Sequence, residues 1–87
     1  MSSQELPVVI TAISDAEFEG FVSGTLFAQG WSVVFRAIDT EALERYCSNN
    51  VEQAASSLLI YSPDLSGITS DVVKELSTKV KQVIGFS

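Results

Sequence analysis

Short apolar runs alternate along this chain with stretches whose apolar residues recur every three or four positions. The first run is Pro7-Val8-Val9-Ile10-Thr11-Ala12-Ile13. It is continuous and rich in β-branched residues, which predicts a strand buried on both faces. Pro7 is tolerable there, because a first strand residue need not donate to the ladder. Ser14-Asp15-Ala16-Glu17 follows with capping-box spacing. Phe18, Phe21, Val22, Thr25 and Leu26 then mark one face of a helix. Gly30 is placed to end it. Trp31 to Ile38 predicts a second strand, more mixed in character, as an edge strand would be. Asp39 and Thr40 are cap candidates for a second helix with Ala42, Leu43, Tyr46 and Cys47 on its apolar stripe. Asn49-Asn50 ends that helix, and Val51 to Ser56 is a connector without a clear period. Ser57 to Tyr61 predicts a third strand and Ser62 to Gly67 a loop. Thr69 or Ser70 caps a third helix with Val72, Val73, Leu76 and Val80 inward. Lys74, Lys79 and Lys81 lie toward its C-terminal end, where the helix dipole favours cations. Gln82 to Phe86 predicts a fourth strand.

The order β-α-β-α-β-α-β implies right-handed crossovers and a parallel sheet. Helices on both faces make this a three-layer α/β domain with a four-stranded flavodoxin/CheY-like sheet. Residues 1–6 are expected to form a flexible tail and residues 7–87 a single domain. Flavodoxin-like sheets normally have five strands. The expectation is therefore a piece of a larger polypeptide, with one sheet edge left open to pairing.

Composition changes the picture mainly by exclusion. Hydrophobic residues make up 46% and charged residues 18% of the 87 positions, which suits a packed core and not a disordered chain. The net charge of −6 argues against nucleic acid and anionic membrane as partners. No apolar run approaches the roughly 20 residues of a membrane span, and the N-terminus lacks a signal-peptide pattern. The expectation is a cytoplasmic protein with no membrane insertion. Cys47 is the lone cysteine and histidine is absent, which leaves neither a disulfide framework nor a cysteine–histidine metal site. All basic residues lie from Arg36 onward, so Glu5, Asp15, Glu17 and Glu19 stand unopposed in sequence. This acidic patch either complements the helix dipole on a solvated face or steers a basic partner.

Taken together, these residues resemble the receiver domain of bacterial response regulators over nearly the whole chain. In that family an acidic pair ends strand one, a phosphorylatable Asp ends strand three, a Ser or Thr ends strand four and a Lys ends strand five. Here strand one ends Thr11-Ala12-Ile13-Ser14-Asp15, with a single late carboxylate. Strand three runs Leu58-Leu59-Ile60-Tyr61-Ser62-Pro63-Asp64, so Tyr61 or Ser62 stands in the phosphoacceptor region and Asp64 lies beyond the proline. Ser87 matches the strand-four hydroxyl, and no fifth strand carries the Lys. Magnesium needs more than one well-placed oxygen group. The chain is therefore more similar to an atypical, or pseudo-, receiver. Such domains form the N-terminal region of TadZ/CpaE proteins, ahead of a MinD/ParA-type ATPase that helps to position pilus assembly machinery. The likeness is one of layout, and no Walker-type phosphate loop occurs in these residues.

Asp15 and Asp64 either flank a residual metal or anion site at the C-terminal edge of the sheet, or cap a helix and shape a turn. Ser14, Ser62 and Ser66 have no histidine or lysine base at a useful spacing, which leaves them caps and turns. Cys47 reads as a buried, inert thiol. The first helix is more informative. Gly20, Gly24 and Ala28 form one small-residue stripe, and Phe27 falls nearly opposite the Phe18–Val22–Leu26 face. Either this stripe is a self-association or partner surface, or the glycines admit another internal element and Phe27 covers a rim. Three functions follow. The first is a non-catalytic, self-associating interaction or localisation domain with a protein partner and no cofactor. The second is a phosphorylatable receiver using Asp64 or Asp15. The third is a small-ligand module, disfavoured because Ser14-Asp15-Ala16-Glu17 stands where a Gly-rich phosphate loop would lie.

Overall fold

The computed structural model describes residues 8–85. The proposed tail, Pro7, Phe86 and Ser87 lie outside the described residues. The elements are β1 (Val8–Ala12), α1 (Ala16–Ala28), β2 (Ser32–Ala37), α2 (Thr40–Asn49), α3 (Val51–Ala55), β3 (Ser57–Tyr61), α4 (Ser70–Leu76) and β4 (Gln82–Gly85). The connector at Val51 to Ser56 is thus a short helix, which the residues conceal because only Ala54 is buried.

The four strands pair in the order β2-β1-β3-β4, all parallel. Handedness then fixes the layers. The step from β1 to β2 runs toward one edge, and the steps to β3 and β4 run toward the other. Right-handed crossovers therefore place α1 on one face and α2, α3 and α4 on the opposite one. Two cores result. Ile10, Ala12, Leu59, Leu43, Cys47, Ala54 and Leu76 fill the face under α2, α3 and α4. Val9, Ile13, Ile60 and Val22 fill the face under α1, with Phe18, Leu26, Trp31, Val33 and Leu58 at its margin.

β2 is an edge strand, as its mixed pattern predicts, and it carries a β-bulge. Val9 opposes Val33, but Ile10 opposes Phe35, so Val34 is the extra residue. The bulge resolves an apparent conflict of parity. Val33 packs on the α1 side, while Phe35, two residues on, packs on the other side and stacks on Tyr46 with ring centroids 4.3 Å apart.

Local signals set the helix ends. Gly30 takes a φ of +90°, and the Trp31 and Gly30 N–H groups donate to the Leu26 and Phe27 carbonyls. This is a Schellman ending, which needs a residue without a Cβ penalty at that position. Asp39 caps α2 through the Ala42 N–H, and Thr69 caps α4 through the Val72 N–H. The cap of α1 differs from the capping box expected at Ser14. Asp15 is the N-cap, and its Oδ1 accepts from the Glu17 and Phe18 N–H groups. A carboxylate satisfies two free N–H groups at the positive end of the helix better than a hydroxyl does. Ser14 is thereby released to bond elsewhere.

Candidate functional site

The C-terminal edge of the sheet brings together the loops after β1 and β3. The Ser14 backbone N–H donates to Ser62 Oγ at 3.3 Å, and the Ser14 hydroxyl donates to Asp64 Oδ1 at 3.1 Å. The Ser62 N–H continues the ladder to the Ala12 carbonyl. Ser62 is buried directly after the end of β3. Hydrogen bonds from Ser62 and then Ser14 hold the exposed Asp64 carboxyl below its ordinary pKa. Tyr61 ends β3, and its hydroxyl lies close against Gly85, where a Cβ would meet it at 3.0 Å. Asp15 is only a neighbour in sequence to this network, because its side chain is turned to the α1 N-terminus. Of the five residues matched to a receiver pocket, Ser62 and Asp64 are joined through Ser14, Tyr61 adjoins them, Asp15 is committed to the cap, and Ser87 is outside the described residues. Among the described residues no group of three or more His, Cys, Asp or Glu side chains is placed to hold a metal ion. The arrangement ties two loops together.

Beside this edge, Tyr61, Pro63, Ile68, Val73 and Lys74 line an open hollow of about 510 Å³ that the residues alone do not announce. Its wall is the short helix α4 and the loop before it.

The second candidate is the outer face of α1. Phe18, Val22 and Leu26 face the sheet, as predicted, but Phe21 and Thr25 do not. Phe21 is 69% exposed. The helix is rolled because two polar residues share its inner face. Glu19 Oε2 accepts from the fully buried Thr11 hydroxyl at 3.0 Å and from the Ser23 hydroxyl at 2.6 Å, and it pairs with Arg36 Nε at 3.0 Å. The acidic patch expected at the start of α1 is therefore smaller than the residues suggest, since Glu19 is neutralised from β2. The signal for this cluster was present but faint. Thr11 is a polar residue inside an apolar strand, and Glu19 and Ser23 are four apart, on one side of the helix.

Gly20 and Gly24 meet nothing. A Cβ built on either would have no atom of another element within 4 Å. The idea that they admit an internal neighbour is thus overturned. Phe27 is 80% exposed. On a helical wheel Phe21 and Phe27 lie about 120° apart, with Gly20, Gly24 and Ala28 in the arc between them. The result is a shallow trough with phenyl walls. On the Phe27 side it continues as a groove of about 560 Å³ running to the β2 edge, where Trp31, Ser32, Val33 and Arg36 line it.

No family model, curated protein or solved structure matches this chain. No helix among the described residues is long and apolar enough to cross a membrane.

Cys47 lies in the core at 2% exposure, and burial pushes its thiol pKa up, against an opposing pull from Lys79.

Proposed function

We propose that this chain is a non-catalytic protein–protein contact domain of the pseudo-receiver kind, acting to regulate or position a larger protein or assembly. One observation carries the reading: apolar and small residues run around nearly the whole of α1, yet its outer face is open. A helix apolar around most of its circumference is normally a buried helix. An exposed one marks a surface for another polypeptide. The loop network supports the same reading. Where a receiver would place its acidic pair and phosphoacceptor, this chain has a helix cap, a tyrosine and a hydroxyl–carboxylate tie. Assembly ATPases of the MinD/ParA type, as carried by TadZ/CpaE-type proteins, are the sort of assembly such a domain would position.

The experiment is a two-dimensional NMR titration with beryllofluoride and magnesium. A contact domain gives no saturable shifts at Ser14, Tyr61, Ser62 or Asp64. Saturable shifts centred on Asp64 would instead establish a phosphorylatable receiver.

A further inference from the structure

We infer that the hollow between the end of β3 and α4 is a binding site for a small organic carboxylate with an apolar body. It lies on a different part of the molecule from the outer face of α1 and does not depend on the contact reading of that face.

The volume of the hollow, about 510 Å³, falls within the range of small-ligand pockets, roughly 300–1,000 Å³. Its inner wall is made by Tyr61, Ile68 and Val73, which are half-buried. Tyr61 and Ile68 also pack against the larger core, so this wall is held in place from behind. Val72 and Leu76 are the residues that α4 turns to that core, which leaves Val73 to the hollow. Pro63, Ser70 and Lys74 stand at the exposed rim. A ligand with an apolar body therefore meets a preformed apolar surface and an open mouth.

The polar groups of the hollow set the charge of that ligand. Lys74, Tyr61, Thr69 and Ser70 each bring a hydrogen-bond donor, and no carboxylate lines the hollow. This is unusual ground in a chain with 11 Asp and Glu against 5 Lys and Arg. Arg36, Arg45 and Lys79 are each paired with a glutamate. Lys74 has no such partner among the described residues, and none of them accepts from the Tyr61 hydroxyl. An ammonium and a phenolic hydroxyl thus line one hollow with no carboxylate between them. A carboxylate from outside supplies both the charge and the acceptor oxygens.

A phosphate fits less well. Phosphates are held by Arg forks or by backbone N–H groups at a helix start. Lys74 is a single point charge. α4 has only seven residues, and Thr69 already takes its Val72 N–H. Pro63, Ile68 and Val73 would face a phosphate without bonding to it. The carboxylates of Asp15 and Glu17 belong to the start of α1, after β1, and do not line this hollow after β3. With one exposed ammonium and a shallow apolar wall, the expected Kd is on the order of millimolar.

The test is a two-dimensional NMR titration of the whole chain with sodium benzoate, with benzamide and inorganic phosphate as comparison probes. Benzoate should give saturable shifts at Tyr61, Ile68, Val73 and Lys74. Lys74→Gln should weaken that binding by about fivefold, the worth of one exposed charge contact, and Tyr61→Phe should weaken it as well. Benzamide, which has the same body without the charge, should bind weaker than benzoate by a similar factor. Phosphate should give no saturable shifts in the hollow. Lys74 is exposed and Tyr61→Phe keeps the ring that packs on the core, so circular dichroism should show both variants folded. The inference is overturned if benzoate gives no saturable shifts at these residues, if both variants bind it as the wild type does, if benzamide binds equally well, or if phosphate saturates the same residues. The beryllofluoride titration reads Ser14, Ser62 and Asp64, which do not line the hollow, so the contact-domain reading stands or falls separately.

Discussion

Glu19 of α1 and Arg36 of β2 meet at 3.0 Å beside the edge of the sheet, and the same Glu19 oxygen takes the hydroxyl protons of Thr11 and Ser23. One carboxylate therefore joins the centre of the sheet, the helix above it and the edge strand. Arg36 is 64% exposed and Glu19 only 14%. The ion pair by itself contributes little in that setting, about 0–1 kcal/mol. The buried Thr11 hydroxyl is the costlier group to orphan. The cluster also sets the roll of α1, which turns Phe21 and Phe27 outward.

Glu19→Ala should accordingly destabilise the chain by about 1–3 kcal/mol, chiefly by leaving Thr11 without its acceptor. Adding Thr11→Val to that variant should recover part of the loss, because it removes the orphaned hydroxyl. Urea unfolding with an unchanged m-value checks both. An additive double variant would show that Thr11 finds another acceptor.

The open glycines make the opposite prediction. Gly20→Ala and Gly24→Ala should each stabilise the monomer by about 0.5–1 kcal/mol, since a helical glycine costs that much and the added methyl group meets nothing. Thermal melting at low micromolar concentration should show a rise of about 4 °C for each kcal/mol gained. A fall would mean that another part of the chain packs on α1 in solution.

The cap assignment separates two adjacent residues. Asp15→Ala should cost about 1 kcal/mol, because two N–H groups of α1 lose their acceptor. Ser14→Ala should cost less, since Ser14 joins exposed groups across the loops. Reversed magnitudes in chemical denaturation would restore Ser14 as the cap.

These contrasts show what the residues reveal before folding. The strands were legible because Val8 to Ala12 and Ser57 to Tyr61 are short apolar runs, and α2 and the start of α4 because their caps are strong, whereas the cap of α1 falls one residue later than expected and α4 ends at Leu76, short of the expected Val80, Lys79 and Lys81. α3 was hidden because five residues with one buried position leave no period. The roll of α1 was hidden for a different reason. With apolar residues all around the helix, Phe21 and Phe18 compete equally for the inner face, and only the long-range claim of Thr11 and Arg36 on Glu19 decides between them. The stripe of Gly20, Gly24 and Ala28 was visible, but whether it was filled depended on the chain's own packing. The pairing of Ser14 with Asp64, 50 residues apart in sequence, depends on the sheet order that places β1 beside β3.

Asp64 gives a pH dependence with a definite sign. Its carboxyl is held below the ordinary value of 3.8 in the folded chain by Ser62 and Ser14. The unfolded chain therefore binds the proton more readily, and acid favours unfolding. The contribution is complete above the unfolded pKa and is lost as pH falls through the lower folded one. The stability of the wild type should thus decline more steeply below about pH 4 than that of Asp64→Asn, with the two curves parallel near neutrality. Parallel curves throughout would show that the Ser14 and Ser62 bonds do not persist in solution.

Cys47 tests the larger core. Its thiol is packed with Leu43, Ala54 and Leu76 under α2, and burial raises its pKa more strongly than Lys79 lowers it. The thiolate is the reactive form, so the native chain should resist a thiol reagent at pH 8 and react only when it opens. Labelling should therefore accelerate with added urea in step with the unfolded fraction. Cys47→Ala should cost stability through lost packing, and Cys47→Ser should cost more, since it places a hydroxyl in an apolar setting. Rapid labelling without denaturant would mean that α2 detaches from the sheet on its own.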